Sequence, residues 1–472
     1  MIDNVFITQR CYLATVLLFG SMSVQADVGL TLKQFLQYQL TEHYQVWQLE
    51  AEQKAQTLAL QVGKNYLLPS LSASSNWQRT EQHQKSVVSS ANNSWSVSLN
   101  STWVSPIGTQ IELQAERFEN INLGSPSYSE KQRANQYSIG LSQPLLKHNS
   151  LAYNRLNLSK AQNQWQQYLN QGQLLQLELL RDGLISYIDY QIRHEIWQVQ
   201  RELLVSIEKS LFVVERLYKV QRATKYDLAQ AKLRVSSQQR QVEVAQLEVK
   251  LAMQEGLLAI NDSSHLQLQP LSSIAQLSNL LTELVLQEKA SQLHPQIIDS
   301  RLALQSSQFA MQQAADDHKP ALDVFFQHKK NIIGHSSDSE TNTLGIKLEY
   351  TFTNKSTRQQ QAALKAQTKV ARLTSQQLQR ELDNQRLSLT KRVAALQQQT
   401  KIQWLTIALA KEGLVQQLKR YQVGKASLYS LEEREQDVLD KQLEWIASQQ
   451  SLATSQAQLA YYLQRDIRVK LL

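Results

Sequence analysis

The run Asp316-Asp317-His318 is the closest approach to a metal-binding cluster in this sequence. Metal sites gather His, Cys, Asp or Glu at ligand spacing, for example two histidines four residues apart on one helix. None of the nine histidines pairs in that way. The run also lies just before Pro320, where the polar end of a helix is expected. We therefore predict no metal-binding residue.

Nucleophilic and nucleotide chemistry find equally little support. The only cysteine is Cys11, and no Ser-His-Asp arrangement can be read from isolated residues. No glycine-rich phosphate loop is present, so the sequence offers nothing with which to bind or hydrolyse a nucleotide. The net charge of +8 is scattered along the chain, which argues against a nucleic-acid partner. We predict no enzyme, no catalytic residue and no cofactor.

The first 26 residues are typical of a secretory signal peptide. Arg10 supplies a positive charge, residues 11–22 form a short apolar stretch, and Val24-Gln25-Ala26 offers small residues for cleavage. Cys11 stands at the front of the apolar stretch and not at the cleavage site, so no lipid anchor is expected. Since no later segment approaches the roughly 18 apolar residues of a membrane helix, we expect either a periplasmic protein or an inserted β-barrel.

The elements that follow are predicted to be very long helices. Glycine (13 residues) and proline (7 residues) are scarce, so turns are few. Residues 150–217 and 356–420 contain no proline, and each would reach roughly 100 Å as an unbroken helix. A heptad repeat of apolar residues, with a second apolar residue after all but the first, predicts a coiled coil whose helices each contact two neighbours. Its positions are Leu431, Val438, Trp445, Leu452 and Leu459.

Two other regions alternate apolar and polar residues, as strands with two unlike faces do. The first runs through Trp95, Val97, Leu99 and Trp103, and the second through Leu344, Ile346, Leu348, Tyr350 and Phe352. A soluble sheet would pack the apolar face on a core, whereas a membrane barrel would turn it to lipid. Predicted strands of about ten residues, with Trp95, Trp103, Tyr350 and Phe352 near their ends, favour the barrel.

An internal repeat organises the chain. His43 precedes Pro69 by the same spacing that separates His294 from Pro320, and Tyr218 precedes Tyr226-Asp227-Leu228 as Tyr421 precedes Tyr429-Ser430-Leu431. We predict two copies, at residues 27–273 and 274–472, each reading helix, strands, long helix, tip turn and helix.

The first copy is longer than the second in its strand region. The additional length holds a predicted hairpin, with strands at 95–104 and 109–118 and a Ser105-Pro106-Ile107-Gly108 turn. Whether this hairpin widens a barrel or forms a cap or collar is open at this point.

Over nearly all of its length after residue 26, the chain resembles the TolC family of outer-membrane factors. The resemblance rests on Leu68-Pro69-Ser70-Leu71, Pro320-Ala321-Leu322, Gly140-Leu141-Ser142-Gln143-Pro144-Leu145 and the segment from Tyr421 to Leu431 with its Tyr-x-x-Gly turn. It implies a mainly α protein with membrane β structure: a homotrimer whose shared β-barrel, usually twelve-stranded, continues into a long periplasmic coiled-coil tunnel. The implied partners are a periplasmic adaptor (membrane fusion protein), an inner-membrane pump or ABC exporter, and outer-membrane lipid.

The resemblance also implies a periplasmic gate at the tip turns. Its tyrosine falls on Tyr421 and its turn glycine on Gly424, while its arginine falls on Ala426, beside Lys425. The two acidic positions fall on Ser430 and Glu433, so one carboxylate is missing. In the first copy, Tyr218 and Asp227 keep their types, but Gln221 replaces the glycine. One hypothesis is a ring of three Glu433 carboxylates that faces the lumen and favours cations; the other is a solvated surface glutamate.

The predicted function is a passive exit duct for small molecules or drugs in a tripartite export system. Two alternatives stay open: the outer-membrane component of a type I protein secretion system, and a periplasmic coiled-coil adaptor. Adaptors carry one hairpin between compact β domains, whereas this sequence has two hairpins around two strand regions.

Overall fold

The structure is a computed structural model that describes residues 28–65, 68–84, 87–122, 130–258, 260, 266–286, 293–333, 338–350 and 355–463. The predicted signal peptide at residues 1–26 and Phe352 lie outside the described residues. The described chain consists of a helical part and a single large sheet.

The helices dominate, and two of them are very long. α4 (Leu156–Lys219) has 64 residues and α8 (Lys355–Gln422) has 68, so each extends about 100 Å, as the scarcity of breakers predicts. Each long helix turns back into a partner, α5 (Lys225–Leu257) and α9 (Leu428–Tyr462) respectively. The remaining helices are α1 (Leu32–Thr41), α2 (Tyr44–Asn65), α3 (Leu151–Asn154), α6 (Ile274–Leu286) and α7 (Pro295–Asp317).

The predicted helix that begins at residue 150 is interrupted after one turn. α3 ends at Asn154, whose side-chain Nδ2 donates to the carbonyl oxygens of Pro106 at 3.3 Å and His148 at 3.0 Å. These bonds tie the first turn to a turn at the end of the sheet, and α4 starts only after Arg155.

The large sheet has six strands in the order β2-β3-β4-β5-β7-β8. They are β2 (Ser70–Gln84), β3 (Val87–Val104), β4 (Gln110–Asn122), β5 (Glu130–Pro144), β7 (Ala321–Ile333) and β8 (Ser339–Glu349). Every neighbouring pair is antiparallel. The strands have 11 to 18 residues, so the predicted length of about ten is too short. The remaining short strands, β1 (Val28–Leu30) and β6 (Leu266–Leu268), pair in parallel.

The extra hairpin predicted in the first copy is β3–β4, and it lies inside this sheet rather than apart from it. Ser105 closes its turn, because its N–H donates to the Thr109 carbonyl at 2.8 Å. Gly108 has φ +83°, and a Cβ there would lie 2.4 Å from the His148 carbonyl oxygen, so both the turn and the close packing require glycine.

The two faces of the sheet differ in polarity, as the alternating sequence predicts. Registered pairs such as Ala73–Leu99, Leu99–Ala115 and Leu113–Ile139 place apolar side chains on one face across the strands. The opposite face carries Ser, Thr, Asn, Gln and Glu side chains, for example at the Ser74–Ser98 pair. On the apolar face, the exposed large side chains include Leu71, Trp77, Trp95, Val97, Leu99, Trp103, Leu113, Tyr137, Ile139, Leu141, Phe326, Leu344, Ile346 and Leu348. In this protomer, the apolar face is uncovered.

The main core lies among the helices near β1 and β6. Phe35, Leu184, Tyr187 and Leu277 are fully buried there. The Tyr187 hydroxyl donates to the Gln269 carbonyl at 2.6 Å. This bond ties the end of β6 to the long helix α4.

The heptad positions predicted on α9 are buried or packed against the core. Leu431 is fully buried, Val438, Leu452 and Leu459 are buried, and Trp445 packs against buried residues. The second apolar residues of the stripe, from Leu439 to Ala460, are buried as well. This double row lets α9 pack against α4, α6 and α8, which confirms the coiled-coil prediction within the protomer.

The repeat landmarks His43 and His294 have the same local role. The Nδ1 of each accepts a hydrogen bond from the backbone N–H two residues on, at 3.2 Å from Gln45 and 3.3 Å from Gln296. Burial lowers the pKa of both histidines. A histidine thus caps the start of α2 and the start of α7. The sequence showed that the histidine recurs but not that it caps a helix.

Candidate functional site: the tips of the helical hairpins

The two hairpin tips share one backbone turn. After α4, the Arg222 N–H donates to the Leu217 carbonyl at 2.8 Å, and the Gln221 N–H donates to the Tyr218 carbonyl at 3.0 Å. This pair of bonds, six-to-one and five-to-two, is the Schellman motif that ends many helices. It requires a residue with positive φ, and Gln221 has φ +60°.

After α8, the same two bonds recur. The Lys425 N–H donates to the Arg420 carbonyl at 2.9 Å, and the Gly424 N–H donates to the Tyr421 carbonyl at 2.9 Å. Gly424 has φ +74°. The glutamine that replaces glycine in the first tip therefore adopts the glycine conformation, at a cost of about 1 to 2 kcal/mol.

Each tip turn then leads into a capped helix. At the start of α5, Thr224 Oγ1 accepts from the Asp227 N–H at 3.1 Å, and Asp227 Oδ2 accepts from the Thr224 N–H at 2.8 Å. At the start of α9, Ser427 Oγ accepts from the Ser430 N–H at 3.2 Å. The predicted gate positions Asp227 and Ser430 thus both lie at the third residue of a helix, where they stabilise its first turn.

Tyr421 and Tyr218 occupy equivalent positions in unequal surroundings. Tyr421 is 6% exposed and packs in a cluster with Val214, Ala231 and Leu431, which joins the second tip to the first hairpin. Burial, followed by the charges of Asp227 and Glu432, raises its pKa. Tyr218 is 40% exposed. Only the tyrosine of the second tip is therefore part of a packed core.

A buried carboxylate lies one turn beyond this cluster. Glu435 on α9 is 1% exposed and has its Oε2 2.6 Å from Arg234 Nη1 on α5. Its Oε1 accepts hydrogen bonds from two α4 hydroxyls, Ser210 Oγ at 2.7 Å and Ser206 Oγ at 3.2 Å. The charge of Glu435 is thereby compensated by groups from both helices of the first hairpin.

Glu432 extends the same network toward the tip. Its Oε2 accepts from Gln230 Nε2 at 3.0 Å, its Oε1 lies 3.7 Å from Arg234 Nη1, and its carbonyl accepts from Arg234 Nη2 at 3.3 Å. We call these residues the clasp: Ser206, Ser210, Gln230, Arg234, Glu432 and Glu435. The clasp links α4, α5 and α9, so it holds the two hairpins of the protomer together near their tips.

The clasp was not predicted from the sequence. One signal was available, because Glu435 lies four residues after Leu431 and three before Val438, on the side of α9 that carries the apolar stripe. Its partner could not be inferred, since Arg234 lies some two hundred positions away along the chain.

The other predicted gate residues lie on the surface of the protomer. Lys425 and Gly424 are exposed in the second tip turn, and Glu433 is exposed on α9 beside the buried Glu432–Glu435 side of the helix. Ser430 is half-buried, and its hydroxyl accepts from Gln417 Nε2 at 2.8 Å. The protomer thus brings Tyr421 and Asp227 near each other and leaves Glu433 exposed on α9.

Of the predicted strand aromatics within the described residues, Trp103 and Tyr350 lie at strand ends and Trp95 does not. Trp103 lies near the end of β3, but Trp95 lies in its middle and faces Trp77 across the strand pair. The prediction for Trp95 is wrong because β3 continues to Val87 with residues of mixed polarity. Tyr350 directly follows β8. From Trp95 to Trp103, the strand extends about 26 Å.

The run Asp316-Asp317-His318 is occupied by protein partners at the junction of helices and sheet. Asp316 accepts from the His148 N–H at 2.8 Å, and Asp317 Oδ1 lies 3.1 Å from His148 Nε2. Across the described part of the chain, no group of three or more His, Cys, Asp or Glu residues is arranged to hold a metal ion. No helix within that part combines the length and apolar content that crossing a membrane requires.

Comparison with known proteins gives structural neighbours only. No protein-family model and no curated protein matches the sequence. The fold is similar to that of CusC, a protein that forms a transmembrane channel. The TM-score is 0.69 and the identity 12%, and the match covers 94% of this chain and 95% of that chain. It is also similar to the outer membrane channel CmeC of Campylobacter jejuni (0.65, 13%, 92% and 85%). A third neighbour is the MtrE outer membrane channel of Neisseria gonorrhoeae in its open state (0.64, 13%, 94% and 93%).

These neighbours span nearly the whole chain, including both hairpins and the sheet, so the likeness concerns the complete architecture and not one part. They are channels. The chain therefore has the fold of these outer-membrane channels, which is the fold that its motifs predict through their resemblance to the TolC family.

Proposed function

We propose that this chain is one protomer of a homotrimeric outer-membrane channel, the passive exit duct of a tripartite export system. The observation that carries the proposal is the sheet, which is apolar on one uncovered face and polar on the other. Such a sheet suits a membrane wall with lipid outside and water inside. The helical hairpins, about 100 Å long, would reach through the periplasm as a tunnel.

Export needs an energy source outside this chain. We infer that the protein is not an enzyme and that an inner-membrane pump, joined through a periplasmic adaptor, drives transport. The support is the absence of a nucleotide-binding loop from the sequence together with a fold shared with channels. Small molecules or drugs are the proposed cargo, and a protein exported by a type I secretion system is the alternative.

The clasp and the Tyr421 cluster have a place in this proposal. Because they hold the two hairpins of one protomer together at their tips, they would resist the splaying that opens a tunnel at that end. Glu433, exposed beside the clasp, is the candidate for a ring of three carboxylates in the lumen.

Fractionation of cells tests the proposal directly. We expect the protein in the outer-membrane fraction, extractable only with detergent, and trimeric by native mass spectrometry. Release of a monomer with the periplasmic contents would contradict the channel and favour the periplasmic adaptor instead.

Cargo can be assigned by deleting the gene while the pump and adaptor remain. Small-molecule export predicts increased susceptibility to toxic compounds and unchanged protein secretion. Type I secretion predicts the reverse: loss of one exported protein from the medium and unchanged susceptibility.

A further inference from the structure

We propose that the shared barrel of this channel has eighteen strands, six from each of three copies, rather than the twelve usual in the family that the chain resembles. The inference rests on the proposed trimeric function. Its basis is the six-stranded sheet, in which the hairpin β3–β4 separates β2 from β5.

The hairpin is built into the sheet along its full length. β3 pairs with β2 from Thr102 opposite Ser70 outward, with one irregularity near Gln82, and β4 pairs with β5 without any shift in register. A cap or collar would leave the sheet plane, and its ladders to β2 and β5 would be short. The continuous ladders instead make β3 and β4 part of the wall.

The hairpin also contributes side chains to the apolar face of the sheet. Trp95, Leu99 and Trp103 on β3 and Leu113 on β4 are exposed on the same face as Ile139 on β5. In a collar, this apolar surface would face water. Soluble proteins rarely expose apolar patches of this size. The opposite face of the hairpin has Ser98 and Gln114, among other polar residues, which suit a wet lumen.

The edges of the sheet fit a second copy of the same chain. Within the described residues, β2 and β8 are the outer strands and do not pair with each other. Both have their helical ends on the same side, since β2 begins at Ser70 after α2 and β8 ends at Glu349 before α8.

Six antiparallel strands are an even number, so β8 of one copy runs antiparallel to β2 of the next. Identical copies can then close a ring head to tail, with apolar faces aligned. Closure within one chain is excluded by size, because barrels that span membranes have at least about eight strands.

The extra strands change the bore of the barrel. With strands about 4.8 Å apart and tilted by about 40°, twelve strands give a diameter of about 24 Å and eighteen give about 36 Å between backbones. The opening at the outer membrane would thus be about half as wide again.

Cysteine cross-linking in purified, membrane-derived trimers tests the strand count. Ser74→Cys with Ser98→Cys probes the β2–β3 contact, where the two hydroxyl oxygens are 2.7 Å apart. Gln114→Cys with Ser138→Cys probes the β4–β5 contact, where the side chains are 3.4 Å apart. The matched control is Ser74→Cys with Gln136→Cys, two positions at the same level of the sheet that would be neighbours only if the hairpin left the wall. Since Cys11 is the only native cysteine, the background is low.

We expect both probe pairs to oxidise within one chain at least tenfold faster than the control pair, and cryo-electron microscopy of the trimers to count eighteen strands. Rapid oxidation of the control pair with a twelve-stranded barrel would overturn the inference and leave the trimeric channel standing. A protein that is not a trimer would overturn the proposed function, and with it the eighteen-stranded barrel.

Discussion

The two tips of the protomer share one backbone conformation but differ in the side chains that they bury. Both end a long helix in a Schellman turn and start the next helix with a hydroxyl cap. The first tip keeps Gln221 in a glycine conformation and leaves Tyr218 exposed, whereas the second tip has Gly424 and buries Tyr421. The two tips therefore share a turn geometry, while packing and charge give each tip its own role.

The clasp shows the same asymmetry. Its acids lie on α9 of the second hairpin, and its arginine and hydroxyls lie on α4 and α5 of the first. Contacts between the two hairpins therefore fix their relative position at the tip. Four sets of variants test this comparison, in order of expected effect.

The largest effect is expected from Arg234→Ala, which leaves Glu435 buried without its cation. Breaking a buried pair on one side costs about 3 to 5 kcal/mol. Hydrogen exchange should show faster opening of peptides at residues 206–234 and 428–439, and single-channel recordings should show higher conductance.

The control for that variant is Arg434→Ala, whose exposed ion pair with Asp437 spans 3.8 Å and should contribute less than about 1 kcal/mol. Equal exchange in the two variants would contradict the clasp. Replacing both members, with Arg234→Leu and Glu435→Leu together, should recover most of the lost protection because no charge then stays buried.

The second-largest effect is expected from Tyr421→Ala, and it should exceed that of the equivalent change at Tyr218. Tyr421→Ala should destabilise the tip by about 3 kcal/mol, since a buried ring leaves a cavity, and Tyr218→Ala by less than about 1 kcal/mol. Local unfolding free energies from hydrogen exchange provide the measurement. Similar losses for both variants would mean that the tips are packed alike.

The third-largest effect on stability is expected from exchanging the residues with positive φ in the two tip turns. Gln221→Gly should stabilise the first tip by about 1 kcal/mol, because it relieves the positive φ. Gly424→Gln should destabilise the second by about 1 to 2 kcal/mol through φ alone, since a Cβ at Gly424 meets no atom within 4 Å. If both changes destabilise, side-chain contacts of Gln221 outweigh its backbone strain.

The smallest effect on stability is expected from Glu433→Gln, because the side chain is exposed. If three Glu433 carboxylates line the lumen, the cation preference of single channels should fall at least twofold. Glu52→Gln on α2 removes the same charge far from the tip and should leave selectivity unchanged. Unchanged selectivity in Glu433→Gln would make it an ordinary surface glutamate.

Much of the fold could be predicted because the local periodicity of apolar residues indicates its helices and strands. The heptads of α9 and the alternation from Trp95 to Trp103 each report one buried or apolar side, independent of distant residues. Strand length could not be predicted in this way. Residues 87–94 pair with β2 and β4 through their backbones, and mixed polarity hides that pairing from the sequence.

The candidate site was predictable only in part. The turn positions Gln221 and Gly424 were identified through the resemblance to the TolC family, whose tip turn has a glycine. The capping role of Asp227 was not, since the resemblance assigned this carboxylate to a pore. The clasp joins residues distant in sequence, so only the folded chain reveals it.

One measurement tests the central claim, that the apolar face of the sheet meets lipid while the polar face meets water. Adjacent residues Ser98 and Leu99 on β3 lie on opposite faces, so Ser98→Cys and Leu99→Cys form a matched pair. In intact outer membranes, a membrane-impermeant maleimide should label Ser98→Cys at least tenfold faster than Leu99→Cys. Equal labelling of the two positions would contradict a sheet that forms a membrane wall.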